Sequence, residues 1–316
     1  MLYVRKPVKV KIEYHPRLYA ANQVLPLLEY EPYLEGVRYV SSGEDILLIQ
    51  DEVLDQEKFE KQKTPIIIIE RADSSTITKP NVRKWIEDPK VVSVFKTTVA
   101  LSKEFHHYPR YHYSLIGEHV ERQPMSNRAI DKIKCIIPIC LMSKYLQMRK
   151  LPVDLKSTRI YDAVYIANLN NSLNHRKQFW DSLKDDNLNI IRSQTKLGPQ
   201  DWNYILMKSK VCVSPWGYGE MCYRDLDAIY CGCVLIKPNS GHMKSYPNIF
   251  TNENYLPCKI DSSDLIEKVR EVAENWDAYY SMREKSRNLL VNFLDWKKRA
   301  KEFSNIIIEC YNSRHK

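Results

Sequence analysis

Residues 210–238 read KVCVSPWGYGEMCYRDLDAIYCGCVLIKP, a strand, a loop, a helix and a second strand. The apolar run Val211-Cys212-Val213 stops at Ser214-Pro215, and a loop with two glycines, Gly217 and Gly219, runs through Tyr218 to Glu220. A helix then starts near Cys222, carries Arg224 and Asp227, and closes at Gly232 before the apolar run Cys233–Ile236 and Lys237-Pro238. A glycine loop feeding a helix N-terminus holds anions, because unpaired backbone N–H groups and the helix dipole point at the ligand. Glycines there admit unusual backbone angles and a close ligand approach. Arg224 and Asp227 are three apart and share a helix face. A planar, permanently charged guanidinium suits phosphate oxygens, and a carboxylate one turn on accepts hydrogen bonds from a sugar diol. The stretch reads as a nucleotide-sugar pocket, set against the plainer alternatives of an ordinary strand-to-helix turn and a surface ion pair.

Outward from this motif the same alternation continues. YDAVYIAN (161–168) is a strand, HRKQFWDSLKDD (175–186) a helix, NLNIIRSQ (187–194) a strand and PQDWNYILMKS (199–209) a helix. Before them, VKVKIEY (8–14) alternates as a strand does, while DILLIQD (45–51), PIIIIE (65–70) and VVSVFK (91–96) are near-continuous apolar runs. Such runs mark parallel strands buried on both faces. NVRKWIED (81–88) fits a short helix between strands, and LYAANQVLPLLEYE (18–31) and residues 125–150 have helical character. LPVDLKSTR (151–159) reads as a linker, and the text from Ser262 onward is mostly helical. The expectation is an α/β chain of two doubly wound, Rossmann-like domains, 1–150 and 151–316, facing a cleft, with a helical C-terminal tail. Ligands of such sheets bind beyond the C-terminal ends of the strands.

A chain of 316 residues with 44% hydrophobic content is long enough for two cores. The net charge of +9 is spread among 39 acidic residues, without an arginine-rich arm. It fits a surface for anionic small molecules better than a nucleic-acid face. No apolar stretch reaches the roughly 18 residues of a membrane span, and the N-terminus lacks the apolar block of a signal peptide. The expected setting is cytoplasmic, with at most peripheral membrane association. Eight cysteines without a CxxC pair fit buried thiols rather than zinc ligands or a disulfide framework. His106, His107 and His112, in EFHHYPRYHY, have no partner at zinc-ligand spacing and read as packing residues.

Arg224-Asp225-Leu226-Asp227-Ala228, followed by Gly232-Cys233 and an apolar strand, resembles the C-terminal domain of exostosin-like glycosyltransferases of the GT-B fold. The preceding Met207–Gly217 segment is similar to that family's serine-lysine strand with its proline-glycine exit. Small enzymes of this look also occur in large DNA viruses of algae. The resemblance covers roughly residues 160–255. It implies transfer of a sugar from a nucleoside-diphosphate sugar, UDP ahead of GDP, to a hydroxyl of a glycan acceptor. It further implies inversion, no metal and no separate cofactor. On this reading Arg224 and Arg176 hold the diphosphate and Asp227 the ribose, with Gly217, Tyr218, Gly219, Glu220 and His242 around the donor. Related retaining enzymes place two glutamates eight apart; with Asp227 in the second place, the first falls on Gly219, beside Glu220.

An inverting enzyme needs a base for the attacking hydroxyl. The loop after PIIIIE offers Asp73 first and Glu70 second, and the loop after VKVKIEY offers His15. The alternative for Asp73 is a turn or N-cap residue. Two other function classes compete: a basic nucleic-acid-binding protein, and a catalytically silent glycan-binding module of the same fold.

Overall fold

The computed structural model describes residues 6–14, 25–28, 30–70, 74–136, 152–169, 174–185, 187–217, 219–293 and 295–313. The chain forms two compact units, one from Met1–Tyr111, Val120–Tyr145 and Phe293–Lys316, the other from His112–His119 and Leu146–Asn292. Both are built on parallel sheets.

In the first unit the strands are β1 (Val8–Glu13), β2 (Val37–Tyr39), β3 (Ile46–Gln50), β4 (Ile66–Ile69), β5 (Val91–Lys96), the short β6 (Thr98–Ala100) and β7 (Ile133–Cys135). Six of them form one sheet in the order β2-β1-β3-β4-β5-β7, with every neighbouring pair parallel. The unbroken apolar runs of β3 and β4 follow from burial on both faces. Ile46, Leu48, Ile67 and Ile69 enter one core and Leu47, Ile49, Ile66 and Ile68 the other. Phe59 and Trp85 stack at 5.1 Å in the second core.

The first core is closed by the helix Trp296–Ser313, which lays Ala300, Phe303, Ile307 and Ile308 against Val8, Val10, Tyr30 and Phe95. The sequence reading extended the second domain through these residues. The packing gives them to the first unit, because their apolar stripe covers the sheet face that the short helices of this unit leave open. The first unit is therefore discontinuous in sequence. Short strands also escaped the sequence reading. β7 occupies part of the stretch expected to be helical from 125, after the helix Asn127–Asp131. Of the helix expected at 18–31, the described residues contain Leu25–Leu28 and the turn Glu31–Tyr33.

The second unit has β8 (Tyr161–Ile166), β9 (Ile190–Ser193), β10 (Ser209–Val213), β11 (Val234–Pro238), the short β12 (Met243–Ser245) and β13 (Leu256–Cys258). Its five-stranded sheet has the order β13-β11-β10-β8-β9, again all parallel. Ala163, Tyr165, Val211, Val213, Val234 and Ile236 turn one face toward Phe179, Leu265, Val269 and Val272. On the other face the helix Pro199–Lys208 packs on β8 and β10, and the helix Tyr223–Tyr230 on β11. The strand order reverses between β8 and β10, and a doubly wound sheet opens its ligand crevice at such a reversal, at the C-terminal strand ends.

Of the seven described cysteines none is in a disulfide and five are buried. No helix among the described residues is long and apolar enough to cross a membrane.

Phe303 is fully buried and meets the rings of Tyr30 at 5.8 Å and Phe95 at 6.2 Å. Phe303→Ala is expected to destabilise the first unit by about 3–5 kcal/mol, read as a lowered midpoint in urea denaturation; an unchanged midpoint contradicts this assignment of the last helix.

Candidate functional site

The loops after β8 and β10 meet at the reversal of strand order, and two arginines hold them. Arg176, near the start of the helix Asn174–Ser182, donates from Nη1 to the Asn168 carbonyl at 3.2 Å and from Nε to the Trp216 carbonyl at 3.2 Å. It thereby joins the loop after β8 to the loop after β10. Arg224, in the first turn of the helix Tyr223–Tyr230, donates from Nη1 to the Ile166 carbonyl at the end of β8 and from Nε to Ser214 Oγ at 3.2 Å. Its guanidinium lies 6.0 Å from the Tyr165 ring centroid. The two arginines expected at a diphosphate thus both bridge the loops after β8 and β10, and part of each donor set binds backbone there.

Gly217 has a reason other than backbone angle. A side chain at this position would stand 2.7 Å from Nη2 of Arg176, so the glycine leaves room for the guanidinium. Its N–H donates to the Gly219 carbonyl at 2.9 Å, which tightens the loop. Gly232 fills the expected role at the helix end. Its φ is +77°, and the Gly232 and Cys233 N–H groups close on the Ile229 and Ala228 carbonyls at 3.1 and 3.0 Å, a Schellman ending.

The sequence reading passed over Asp225, which organises this half of the site. It is fully buried and accepts from the Cys222 N–H at 2.9 Å, capping its own helix. It also accepts from Ser214 Oγ and pairs with the buried Lys237 of β11 at 3.1 Å. Lys237 donates in turn to the Ser214 carbonyl at 3.2 Å. One carboxylate therefore ties the end of β10, the helix start and the end of β11. The signal in the sequence was an acid three positions after the residue preceding the helix, with Cys222 in the usual Ser/Thr place. Asp227, two positions on, is also buried, and its Oδ2 accepts from Trp202 Nε1 at 3.0 Å.

Glu220 lies at the far end of the loop, fully buried between two imidazoles. His242 Nε2 is 3.3 Å from Oε1 and His112 Nδ1 is 3.3 Å from Oε2. His112 belongs to the short His112–His119 piece of this unit; the sequence reading gave it a packing role, and the structure gives it an acidic partner. Trp216 is the centre of the group: its ring lies 6.1 Å from His112, 5.9 Å from His175 and 5.8 Å from His242, while its Nε1 donates to Ser240 Oγ at 3.1 Å. His175, next to Arg176, is 2% exposed with neither ring nitrogen hydrogen-bonded. Burial first, then the Arg176, Lys237 and His112 charges, push it down to about 4, so it is neutral near pH 7.

In the first unit Glu70 is buried at the end of β4. It binds Lys96 Nζ through Oε2, and Oε1 accepts the Thr78 N–H at 2.8 Å and the Lys79 N–H at 3.3 Å. These bonds hold the turn into the helix Pro80–Trp85 and engage both oxygens of the carboxylate expected as the second candidate base. His15, Asp73 and Tyr218 lie outside the described residues. Among the described residues no group of three His, Cys, Asp or Glu side chains is placed to hold a metal ion.

No family model matches this sequence, and comparison with curated proteins finds no match. Solved structures do match. The chain is similar to Anabaena HepE in complex with UDP-glucose (TM-score 0.53, 9% identity, covering 95% of this chain and 99% of that one). It is similar to T4 phage BGT in complex with UDP-glucose (TM-score 0.51, 9% identity, 96% and 99% covered). A third similar structure is TarM (TM-score 0.50, 12% identity), where the match covers 91% of this chain and 58% of that one. These likenesses establish the fold: the chain has the GT-B fold, two α/β units each built on a parallel sheet.

Two outcomes follow from the site's packing. Asp225→Leu leaves Lys237 buried without its carboxylate and should cost about 3–5 kcal/mol. Adding Lys237→Met should recover much of that loss in chemical denaturation; an additive second loss contradicts the pairing. His175 is held neutral in the fold, so its stabilising contribution is present above about pH 6.5 and lost as pH falls towards 4. Stability measured at pH 7 and pH 5 should therefore fall less in His175→Phe than in the wild type, and equal losses contradict the neutral assignment.

Proposed function

We propose that this chain is a glycosyltransferase, exostosin-like in its second unit, that draws its sugar from a UDP-sugar held beyond the C-terminal ends of β8 and β10. The observation that carries this reading is the convergence of Arg176 and Arg224 on the two loops of the strand-order reversal, next to two helix N-termini. Two guanidiniums and helix dipoles together offset the charge that develops on a departing diphosphate. Asp227, with one oxygen steadied by Trp202, accepts from the ribose hydroxyls. Glu220, set by His112 and His242, sits one loop residue beyond Gly219 and faces the transferred sugar. The acceptor is a glycan hydroxyl, Asp73 takes its proton, and the anomeric centre inverts without a metal. The UDP-glucose complexes named for the HepE and T4 phage structures support the choice of nucleotide.

The test is a thermal-shift panel of UDP, GDP and UDP-sugars. At a hundred times its dissociation constant a ligand stabilises by about 2.7 kcal/mol. UDP or a UDP-sugar should raise the melting temperature, Arg176→Ala should abolish the rise, and Asp73→Ala should keep the rise and lose transfer. If no nucleotide shifts the wild type, the donor site is wrong. If UDP binds but sugar reaches duplex DNA rather than glycans, the acceptor class is wrong.

A further inference from the structure

At the opposite edge of the second sheet, where β8 and β10 begin, a cavity of about 640 Å³ is lined by Lys156, Arg159, Lys210, Arg283, Trp276 and Asp277, among others. That volume is in the range of small-molecule sites. Its cations have unequal explanations. Lys210 is paired with Asp162 at 2.9 Å. Arg159, 6% exposed, donates to the Leu206, Ser209 and Cys231 carbonyls at 2.9, 3.3 and 3.0 Å. Two helices end there, and a cation at helix C-termini is favourable.

Arg283 has no such account. It is 1% exposed, donates from Nη1 to the Leu155 carbonyl at 2.7 Å, and has its guanidinium carbon 3.7 Å from the Trp276 ring centroid. It makes no ion pair among the described residues. The Nε of Arg283 and the Nε of Arg159 are both buried without a hydrogen-bond partner. Burial, and next the charge of Arg159, bring Arg283 down to about 10, so its guanidinium stays charged at neutral pH. The one carboxylate lining the cavity, Asp277, is exposed, and Lys156 adds a further charge on the exposed rim. Two buried like charges with unfilled donors are costly unless an anion sits between them, and the guanidinium fork matches phosphate oxygens.

We propose that this cavity is a second anion site, distinct from the crevice at the other end of the strands, that takes the phosphoryl group of a small phosphate ester. Phosphate oxygens accept from Arg283 and Arg159, and Lys156 closes the rim. An anion bound there ties the segment leading into β8 to the helix Tyr280–Phe293.

Inorganic pyrophosphate is the probe, titrated calorimetrically at low salt into the wild type, Lys156→Glu, Arg283→Met and Arg176→Ala. Lys156→Glu is expected to weaken binding at least about tenfold, or ~1.4 kcal/mol. Arg283→Met should abolish binding, and Arg176→Ala should leave this event in place. Lys156 is exposed, so its variant folds whatever Arg283→Met does. With Arg176→Ala in the background, binding that survives both cavity variants overturns the site, and so does binding that Arg176→Ala alone removes. So does a wild type that takes up no pyrophosphate. Glucose 1-phosphate should displace the probe; an oligothymidylate that displaces it better at equal phosphate concentration overturns the small-ester assignment. None of these outcomes depends on which nucleotide fills the crevice.

Discussion

The buried pair of Asp225 and Lys237 is the constraint on which the second unit's working edge depends. Taking two charges out of water costs several kcal/mol for each, and the expense is met by filling nearly every lone pair and proton. Asp225 receives the Cys222 N–H, the Ser214 hydroxyl and the ammonium; Lys237 adds the Ser214 carbonyl. The bonds run between the ends of two adjacent strands and the start of the helix between them. The position of that helix N-terminus is thereby set to within a hydrogen-bond length, which an apolar contact does not achieve. Arg224, one residue from Asp225, inherits this placement and extends it to the end of β8.

The other wall of the crevice is set by packing. Trp216 fills the space below the loop, fully buried, with imidazoles from three parts of the unit around it. Arg176 grips the carbonyl of the same residue. The indole and the guanidinium fix the loop from two sides, and Gly217 is small because the guanidinium occupies the place of its side chain. Glu220, the carboxylate at the loop's end, is held through two separate oxygens by two histidines. Trp216, Gly217 and Glu220 are thus each fixed by buried partners within the second unit.

What was legible in the sequence follows a physical rule. β3, β4, β5 and β10 are buried on both faces, so their apolar runs show without ambiguity, and the proline-glycine exit of β10 marks the crevice. Three-residue strands such as β2, β7 and β13 bury too few side chains to leave a pattern. The last helix was visible as a helix, but its stripe of Phe303 and Ile307 names no partner, because an apolar face fits either sheet. The same limit hid the pairing of Glu220 with His112, which are neighbours only through the fold. Arg176 and Arg224 could be singled out because their spacing from strand ends is local. Asp225 was missed in favour of Asp227 since both follow the strand equally well, and only the direction of the buried Lys237 separates them.

The first unit returns to the chain's last helix for the cover of its hydrophobic face. During synthesis, the strands that carry Val10, Leu48, Ile67 and Phe95 leave the ribosome long before Phe303 and Ile307 exist. The five strands of the second unit's main sheet and their helices are complete in that interval. The nascent first sheet therefore waits with one apolar face open, the condition in which chaperones bind and neighbouring chains aggregate.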